Sequence, residues 1–252
     1  MYKTFQGIVL KRTRFSDNSA YITVITENGL EKFSAKGVLS SKSKNASAAA
    51  LFALSEFVVL CRGENSTLSS ASLITPLIRQ GVEFDALAVA NYVACLAHDT
   101  SFAEEDAPSI YRLLGTALSI LNKKECDARI VKAVFELKLM ASLGFLPDLE
   151  YCSRCSKPFS HGAFLADEGG VLCSECELLS DKKKLPLSES LKEGLNTLFS
   201  LPEKSAFGIR FSDEKSLNNF CRIAEDFSVN HLDCALSALG YYKKNIENLT
   251  VF

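Results

Sequence analysis

The stretch Cys152-Ser-Arg-Cys155, followed after seventeen residues by Cys173-Ser-Glu-Cys176, is the most informative part of this 252-residue sequence. Two C-x2-C pairs at this spacing are typical of a tetrahedral site in which four thiolates hold one zinc ion. Pro158, Gly162 and Gly169-Gly170 punctuate the intervening segment, so a hairpin can bring the second pair to the first. Four thiolates leave no coordination position for a water nucleophile, and a structural Zn²⁺ is therefore predicted. The predicted ligands are Cys152, Cys155, Cys173 and Cys176.

Other uses of these cysteines fit the sequence less well than a zinc site. Besides coincidence, the alternatives are redox chemistry and disulfides. A thioredoxin-like motif needs one C-x-x-C at a helix start and does not explain a second pair. A disulfide framework needs an oxidising compartment, whereas the total of nine cysteines is odd and no secretory signal follows Met1. Reduced thiols and a cytoplasmic location are therefore expected, with His161 as an alternative to one sulfur ligand.

Charge is distributed unevenly along the chain. Residues 1–80 carry ten Lys/Arg against five Asp/Glu, whereas residues 81–252 carry eighteen against twenty-five. The N-terminal segment is therefore the candidate for binding a polyanion. The alternative is that a small β domain is simply rich in lysine. No apolar run approaches the ~20 residues that a membrane span requires, so no membrane partner is expected.

The first 80 residues predict an all-β unit. Five β-branched or aromatic runs are separated by turn residues, and Asn28-Gly29 between the second and third favours a type I′ hairpin. This pattern predicts a partly open barrel of the OB type, although an SH3-like barrel would satisfy it too. The residues of Val38–Ala50 predict a mobile loop or a short helix. The five strand segments are Phe5–Arg14, Ser19–Thr26, Leu30–Gly37, Leu54–Arg62 and Thr67–Ile74.

From Val82 onward the apolar period becomes helical. One helix is expected to begin at Asp127, bury a stripe that includes Val134, and end at Gly144, with Lys132 elsewhere on its surface. The predicted helical segments are 85–98, 108–121, the helix after Asp127, 188–199 and 213–239.

These patterns together predict an α+β multidomain protein. It would have a five-stranded OB-type barrel in residues 1–80, an α-helical bundle in residues 81–149 and 177–248, and an inserted zinc-ribbon-like module with four cysteine ligands in residues 150–177.

Basic residues interleaved with aromatic residues in the first 44 positions suggest contact with nucleic acid. Lysine and arginine can follow the phosphates, while an exposed ring accepts a base, at ~1–3 kcal/mol per stacked base. Phe15 is expected to be exposed, whereas Tyr21 and Phe33 are expected in the core. The triplet Lys182-Lys-Lys184 can extend the basic track but is more typical of a solvated face. The predicted DNA-binding residues are Lys11, Arg12, Arg14, Phe15, Lys36, Lys42 and Lys44.

Catalytic motifs do not stand out in the sequence. It lacks a Walker A loop, a G-x-G-x-x-G motif and a G-x-S-x-G elbow, and each of these would position reacting groups. The chain is therefore expected not to be an enzyme.

Two blocks of sequence resemble the RecO family of bacterial DNA repair proteins. The first block contains Gly7-Ile-Val-Leu10, Arg14-Phe-Ser-Asp17, Thr26-Glu-Asn-Gly29, Ala35-Lys-Gly37 and Lys42-Ser43. The second block is Leu143-Gly-Phe-Leu-Pro147, which leads into the two cysteine pairs. The resemblance covers about residues 5–44 and 137–176.

The resemblance implies the same order of an N-terminal OB-fold, a helical domain and a zinc-ribbon-like insertion. It further implies binding to single- and double-stranded DNA and annealing of complementary strands. Contacts with single-strand-binding protein and RecR, and help in loading RecA, are implied as well. The implied function is that of a recombination mediator in DNA repair.

A second hypothesis is that the chain is a protein-interaction adaptor. In this reading the barrel and the zinc module are scaffold, and a groove in the helical bundle binds an acidic, hydrophobic tail such as that of single-strand-binding protein. The residues at the rim of this groove are inferred only from their positions on the predicted helices. The predicted rim residues are Arg112, Lys123, Arg129 and Lys132.

Overall fold

A computed structural model describes residues 1–101, 105–123 and 126–247 of the chain. The chain forms two compact units, Met1–Lys124 and Glu125–Phe252. Residues 102–104, 124–125 and 248 of the predicted helical bundle lie outside the described residues. The first two helices belong to the same unit as the barrel. The finer division into barrel, bundle and zinc module stays a prediction.

The first unit contains a closed five-stranded barrel with the strand order β1-β2-β3-β5-β4. All neighbouring strands are antiparallel except β3 and β5, which pair in parallel at Ser34 and Thr67. This order confirms the OB-type barrel. The strands are β1 (Tyr2–Ser16), β2 (Ser19–Thr26), β3 (Gly29–Ala35), β4 (Ala53–Arg62) and β5 (Asn65–Pro76).

The hairpin between β2 and β3 lies where Asn28-Gly29 predicted it, but its turn differs from type I′. Gly29 adopts a φ of +110°, whereas Asn28 does not have a positive φ. Thr26 pairs with Gly29 across the ladder, and its hydroxyl accepts the Asn28 N–H at 3.0 Å. A glycine after the turn, rather than two central residues with positive φ, therefore reverses the chain.

The barrel is filled by aromatic and β-branched side chains on the inward faces of its strands. Phe33 is only 2% exposed, as predicted, and its ring centroid lies 5.3 Å from that of Phe57. Outward-facing Ile8 and Ile25 are also buried. A Cβ on Gly115 would lie 3.5 Å from Ile8 Cδ1, so the second helix of this unit packs on the outside of the barrel. The two helices are α1 (Phe84–Thr100) and α2 (Ala107–Lys123).

The segment between β3 and β4 is a series of hydrogen-bonded turns rather than a helix. Ser43 N–H donates to Ser40 O at 3.0 Å, and Ala49 N–H donates to Asn45 O at 3.0 Å. The Asn45 side chain accepts the Ala71 N–H of β5 at 3.1 Å, while Ala49 is fully buried in the barrel core. The C-terminal part of the segment is therefore attached to the barrel at Asn45 and Ala49.

The second unit is built around a buried helix, α3 (Ala128–Ser142). Asp127 caps it as predicted by accepting the Arg129 N–H at 2.8 Å. Gly144, at a φ of +87°, follows its C-terminus, and the N–H of the next residue returns to Met140 O at 2.9 Å in a Schellman-type end. The prediction that this helix buries only one stripe is wrong, because residues 130–140 are all buried, including Lys132.

A three-stranded sheet of order β7-β6-β8 packs against α7 in this unit. Phe164 of β6 meets Phe227 of α7 edge to face at 5.7 Å. Leu232 caps the C-terminus of α7, so the segment predicted as one helix over 213–239 is two helices. The elements are β6 (Gly162–Leu165), β7 (Gly170–Cys173), α4 (Ser174–Leu178), β8 (Leu185–Leu187), α5 (Glu189–Ser200), α6 (Glu203–Ala206), α7 (Glu214–His231) and α8 (Ala235–Glu247).

Candidate metal centre and nucleic-acid interface

The first cysteine pair lies in a tight turn that is docked on the small sheet. Ser156 N–H donates to Cys152 O at 2.8 Å, and Cys152 N–H donates to Lys157 O at 2.9 Å. Ser156 takes a positive φ of 56° to close this turn. Ser153 N–H donates to Val171 O of β7 at 2.8 Å, which fixes the turn beside the strand that ends at Cys173.

The second cysteine pair completes a compact group of four sulfurs. Cys173 ends β7 and Cys176 lies in α4. All four Sγ atoms lie within 4.8 Å of one another, and the Cys155 and Cys173 sulfurs are 3.9 Å apart. Tetrahedral Zn–S bonds of about 2.3 Å place sulfurs about 3.8 Å apart, so the donor set fits a metal ion of this kind. His161 is exposed and is not part of this group.

The electrostatics of the cysteine group also suit a divalent cation. Burial raises the pKa of the Cys152 thiol, but the backbone N–H groups of Cys173 and Cys155 outweigh it and lower this pKa to about 6. Burial and hydrogen bonds to the neighbouring sulfurs raise the pKa of Cys176 to about 12. Four adjacent thiolates repel one another, and a bound divalent cation would remove this conflict. Such an ion would hold the two turns together and supply no open position for catalysis.

The ends of β1 and β2 that flank their shared turn carry an exposed aromatic pair. A register shift between Arg14 and Ser16 leaves Phe15 as the extra residue of β1. Phe15 is 46% exposed and Tyr21 is 42% exposed, and their ring centroids lie 4.7 Å apart. The exposure of Phe15 was predicted, whereas the prediction that Tyr21 lies in the core is wrong. Ala20 and Ile22 of β2 point inward, so Tyr21 between them points outward.

The structure brings three of the predicted DNA-binding residues to one end of the barrel. Leu39 N–H donates to Asn18 O at 3.0 Å, which holds the turn after β3 against the turn after β1. Arg14 and Phe15, near the end of β1, and Lys36, in the turn after β3, therefore lie at the same end of the barrel. The Arg14 guanidinium forms an exposed ion pair with Asp17 at 2.9 Å.

The other predicted DNA-binding residues are more widely distributed. Lys42 and Lys44 are exposed on the segment of turns between β3 and β4. Lys11 pairs with Thr23 and Arg12 with Ile22, so their side chains leave β1 on opposite faces. Five of these basic residues form no ion pair within the described part of the chain, and they are Lys11, Arg12, Lys36, Lys42 and Lys44.

The lysine triplet at 182–184 forms ion pairs and hydrogen bonds within the second unit. Lys182 pairs with Glu168, and Lys183 pairs with Asp226 of α7 at 2.7 Å. Lys184 donates to the carbonyl oxygen of Ser180 at 2.9 Å. These contacts tie the segment after the cysteines to the rest of the unit.

The four residues predicted for partner binding lie in different settings. Arg112 and Lys123 are exposed on α2 in the first unit. In the second unit, Arg129 pairs with Asp127 at 2.7 Å and with Glu214 at 2.5 Å. Its guanidinium is therefore already bound to two carboxylates.

Lys132 is not on an accessible rim, and this part of the prediction is wrong. Its side chain is 6% exposed, and its ammonium lies 2.7 Å from Glu136 and 3.0 Å from Glu225. Burial alone would lower the pKa of Lys132, but the two carboxylates together raise it. The i,i+4 spacing of Lys132 and Glu136 is the signal in the sequence that could have indicated this pair. The second pair, between Lys132 of α3 and Glu225 of α7, joins the two helices.

None of the helices in the described residues combines the length and apolarity that a membrane crossing requires.

Comparison with known proteins covers nearly the whole chain. The family model described as Recombination protein O N terminal matches residues 1–77, and the model described as Recombination protein O C terminal matches residues 82–234. The DNA repair protein RecO of Acetivibrio thermocellus is 25% identical over 244 residues, which is 96% of each chain. That of Oceanobacillus iheyensis is 29% identical over 219 residues, covering 85% of this chain and 83% of the relative. That of Caldicellulosiruptor saccharolyticus is 29% identical over 216 residues, covering 85% and 86%. On this evidence, the chain belongs to the Recombination protein O (RecO) family.

Proposed function

We propose that this chain is a DNA-binding recombination mediator that anneals complementary single strands during DNA repair. Membership of the RecO family and the name of its relatives, DNA repair protein RecO, support the repair role. The observation that carries the DNA-binding proposal is the set of five basic side chains on the barrel without an ion pair among the described residues. Such side chains are available to phosphates at little cost.

The mechanism that we propose is charge neutralisation followed by pairing. Two single strands repel each other through their phosphates, and lysines that neutralise some of this charge lower the repulsion. Lys36, Lys42 and Lys44 are suited to this role, because they are exposed on adjoining turns. Complementary bases on the two strands can then sample pairing, and the duplex forms without a covalent step. The chain would therefore act by binding rather than by catalysis.

The salt dependence of single-strand binding tests this proposal. Each neutralised phosphate on a single strand contributes a slope of about −0.7 in log affinity against log salt, so the five basic residues give a slope of at most about −3.5. The double variant Lys36→Glu/Lys42→Glu should reduce this slope by about 1.4 and weaken binding at low salt. Lys204→Glu, an exposed charge reversal in the second unit, is the matched control and should bind like the unaltered chain. Equal binding by all three proteins would contradict the assignment of this surface.

We further propose that the chain works in the bacterial cytoplasm with single-strand-binding protein and RecR to load RecA. The exposed Arg112 and Lys123 on α2 are the candidate contacts for an acidic, hydrophobic tail, because cations at a rim attract such a peptide. Titration of a tail peptide of single-strand-binding protein into Arg112→Glu/Lys123→Glu should show weaker binding than into the unaltered chain. Equal affinity would remove these two residues from the proposal.

The proposed cofactor is one structural Zn²⁺ held by the four cysteines. The sulfur separations in this group support the proposal. Metal analysis of the purified chain should give one zinc per chain, and Cys152→Ser should lose it. Cys95→Ser is the matched control, because Cys95 is an exposed cysteine of the other unit. Full zinc content in Cys152→Ser would contradict the ligand assignment.

A further inference from the structure

The exposed pair of Phe15 and Tyr21 is the strongest feature of the barrel that charge neutralisation leaves unexplained. We propose that these two rings form a stacking platform for one unpaired base, which makes the chain prefer single-stranded over double-stranded DNA. This inference rests on the proposed function, since it names the form of DNA that the same surface selects. The Phe15 and Tyr21 ring centroids lie 4.7 Å apart, so the two rings form one continuous exposed apolar surface, and such surfaces mark binding sites.

The surroundings of Tyr21 leave its ring accessible. Its neighbours across the strands are Thr13 on β1 and Ser34 on β3, and Ser34 is next to Thr67 on β5. The Ser34 and Thr67 hydroxyls lie 3.1 Å apart. Three small hydroxyl side chains therefore form one row with Tyr21 across four strands. Such a row gives a base room to lie against the ring.

The charges around the platform match a nucleotide rather than an apolar peptide. The Lys32 ammonium lies 5.5 Å from the centroid of the Tyr21 ring, and Lys32 forms no ion pair among the described residues. An exposed cation–π contact of this kind is weak, so the ammonium can turn to a phosphate. Arg14 adjoins Phe15 in sequence, and Lys36 lies in the neighbouring turn. A base on the rings would thus have cations close to its own phosphates.

A stacking platform discriminates between the two forms of DNA because it needs a free base face. In a duplex both faces of each base are already stacked and its pairing edge is used, whereas a single strand can place a base on protein rings at little cost. The platform would therefore hold single strands and lose its contact as they pair. The annealed product would be released more readily than the strands that formed it.

Fluorescence anisotropy with a labelled single strand and with the same strand as a duplex tests this inference. The double variant Phe15→Ala/Tyr21→Ala should bind the single strand about 5- to 150-fold more weakly, as expected for one lost stacked base. The fold-change should be the same at every salt concentration, because no charge is removed. Binding to the duplex should be unchanged, and Tyr21→Phe should bind like the unaltered chain because it keeps the ring.

Two results would overturn the stacking platform. Unchanged single-strand affinity in the double variant would show that no base uses the rings, and equal losses on single strand and duplex would show a general effect on the surface. A thermal melt of each variant, expected to match the unaltered chain because neither ring belongs to the barrel core, separates misfolding from lost contact. If the unaltered chain binds neither form of DNA, the proposed function fails rather than the platform alone.

Discussion

Replacement of Lys132 by methionine is expected to destabilise the second unit strongly. The lysine side chain is 6% exposed, the Glu136 side chain is 0% exposed, and their charged atoms are 2.7 Å apart. Methionine roughly preserves the volume but leaves Glu136 buried without its lysine. Removing one partner of a buried ion pair costs about 3–5 kcal/mol in the free energy of unfolding.

This loss is large compared with the stability of an ordinary domain, which is about 5–15 kcal/mol. For a unit of this size the midpoint of thermal unfolding should fall by about 10–20 °C. Differential scanning calorimetry of the full chain measures this shift. Lys183→Met is the matched control, because its pair with Asp226 has the same 2.7 Å separation but a lysine side chain that is 72% exposed. An exposed pair contributes about 0–1 kcal/mol, so the control should melt within a few degrees of the unaltered chain.

The double variant Lys132→Met/Glu136→Leu separates two losses in the free energy of unfolding, the one from a buried carboxylate that has lost its lysine and the one from lost packing. It should recover much of the stability lost in Lys132→Met, because the buried Glu136 carboxylate, which loses its lysine in the single variant, is removed as well. A melting temperature for Lys132→Met within about two degrees of the unaltered chain would refute the reasoning, as would a double variant no more stable than the single one. A charge reversal at Lys132 would accordingly weaken partner binding through unfolding and not through a lost contact.

Three further predictions concern the metal, the barrel turn and pH. Cys152→Ser should abolish zinc binding and the thermal transition of the second unit, while circular dichroism still detects the cooperative unfolding of the barrel, since the two units are separately compact. Asp17→Asn should raise single-strand affinity up to about fivefold at low salt by freeing Arg14 from its exposed pair, and this gain should shrink as salt is added. Burial alone would raise the pKa of Glu225, but Lys132 and its other partners lower this pKa. The stability that Glu225 contributes is therefore complete above the ordinary glutamate pKa of about 4.3. This stability is lost as the pH falls through the lower pKa of the folded state. Chemical denaturation from pH 7 downward should show this loss, and Glu225→Gln should be less stable at pH 7 but flatter with pH.

The features that the sequence predicted well depend on local signals. The C-x2-C pairs specify their own turns, and the structure places the four sulfurs within 4.8 Å. Asp127 and Gly144 mark the two ends of α3, because capping and left-handed backbone conformations are decided by residues within one turn of the helix. Alternating apolar residues and turn residues likewise separated the five strands of the barrel.

The features that the sequence did not predict depend on packing between distant elements. Lys132 lies on a helix whose charged residues predict a surface face, but α7 brings Glu225 to it from 93 residues away. Tyr21 has the residue type of a core strand position, yet the inward direction of Ala20 and Ile22 leaves it in solvent. The sequence also did not predict that α2 packs on the outside of the barrel at Ile8, since an apolar helix face does not specify its partner.

The annealing of complementary oligonucleotides coated with single-strand-binding protein tests the central proposal most directly. With the chain present, duplex should form faster than without it, and the acceleration should weaken as salt rises because phosphate contacts drive it. The Lys36→Glu/Lys42→Glu variant should lose most of this acceleration, while Lys204→Glu keeps it. No acceleration by the folded, zinc-containing chain, or the same acceleration by all three proteins, would contradict the account of the barrel as an annealing surface.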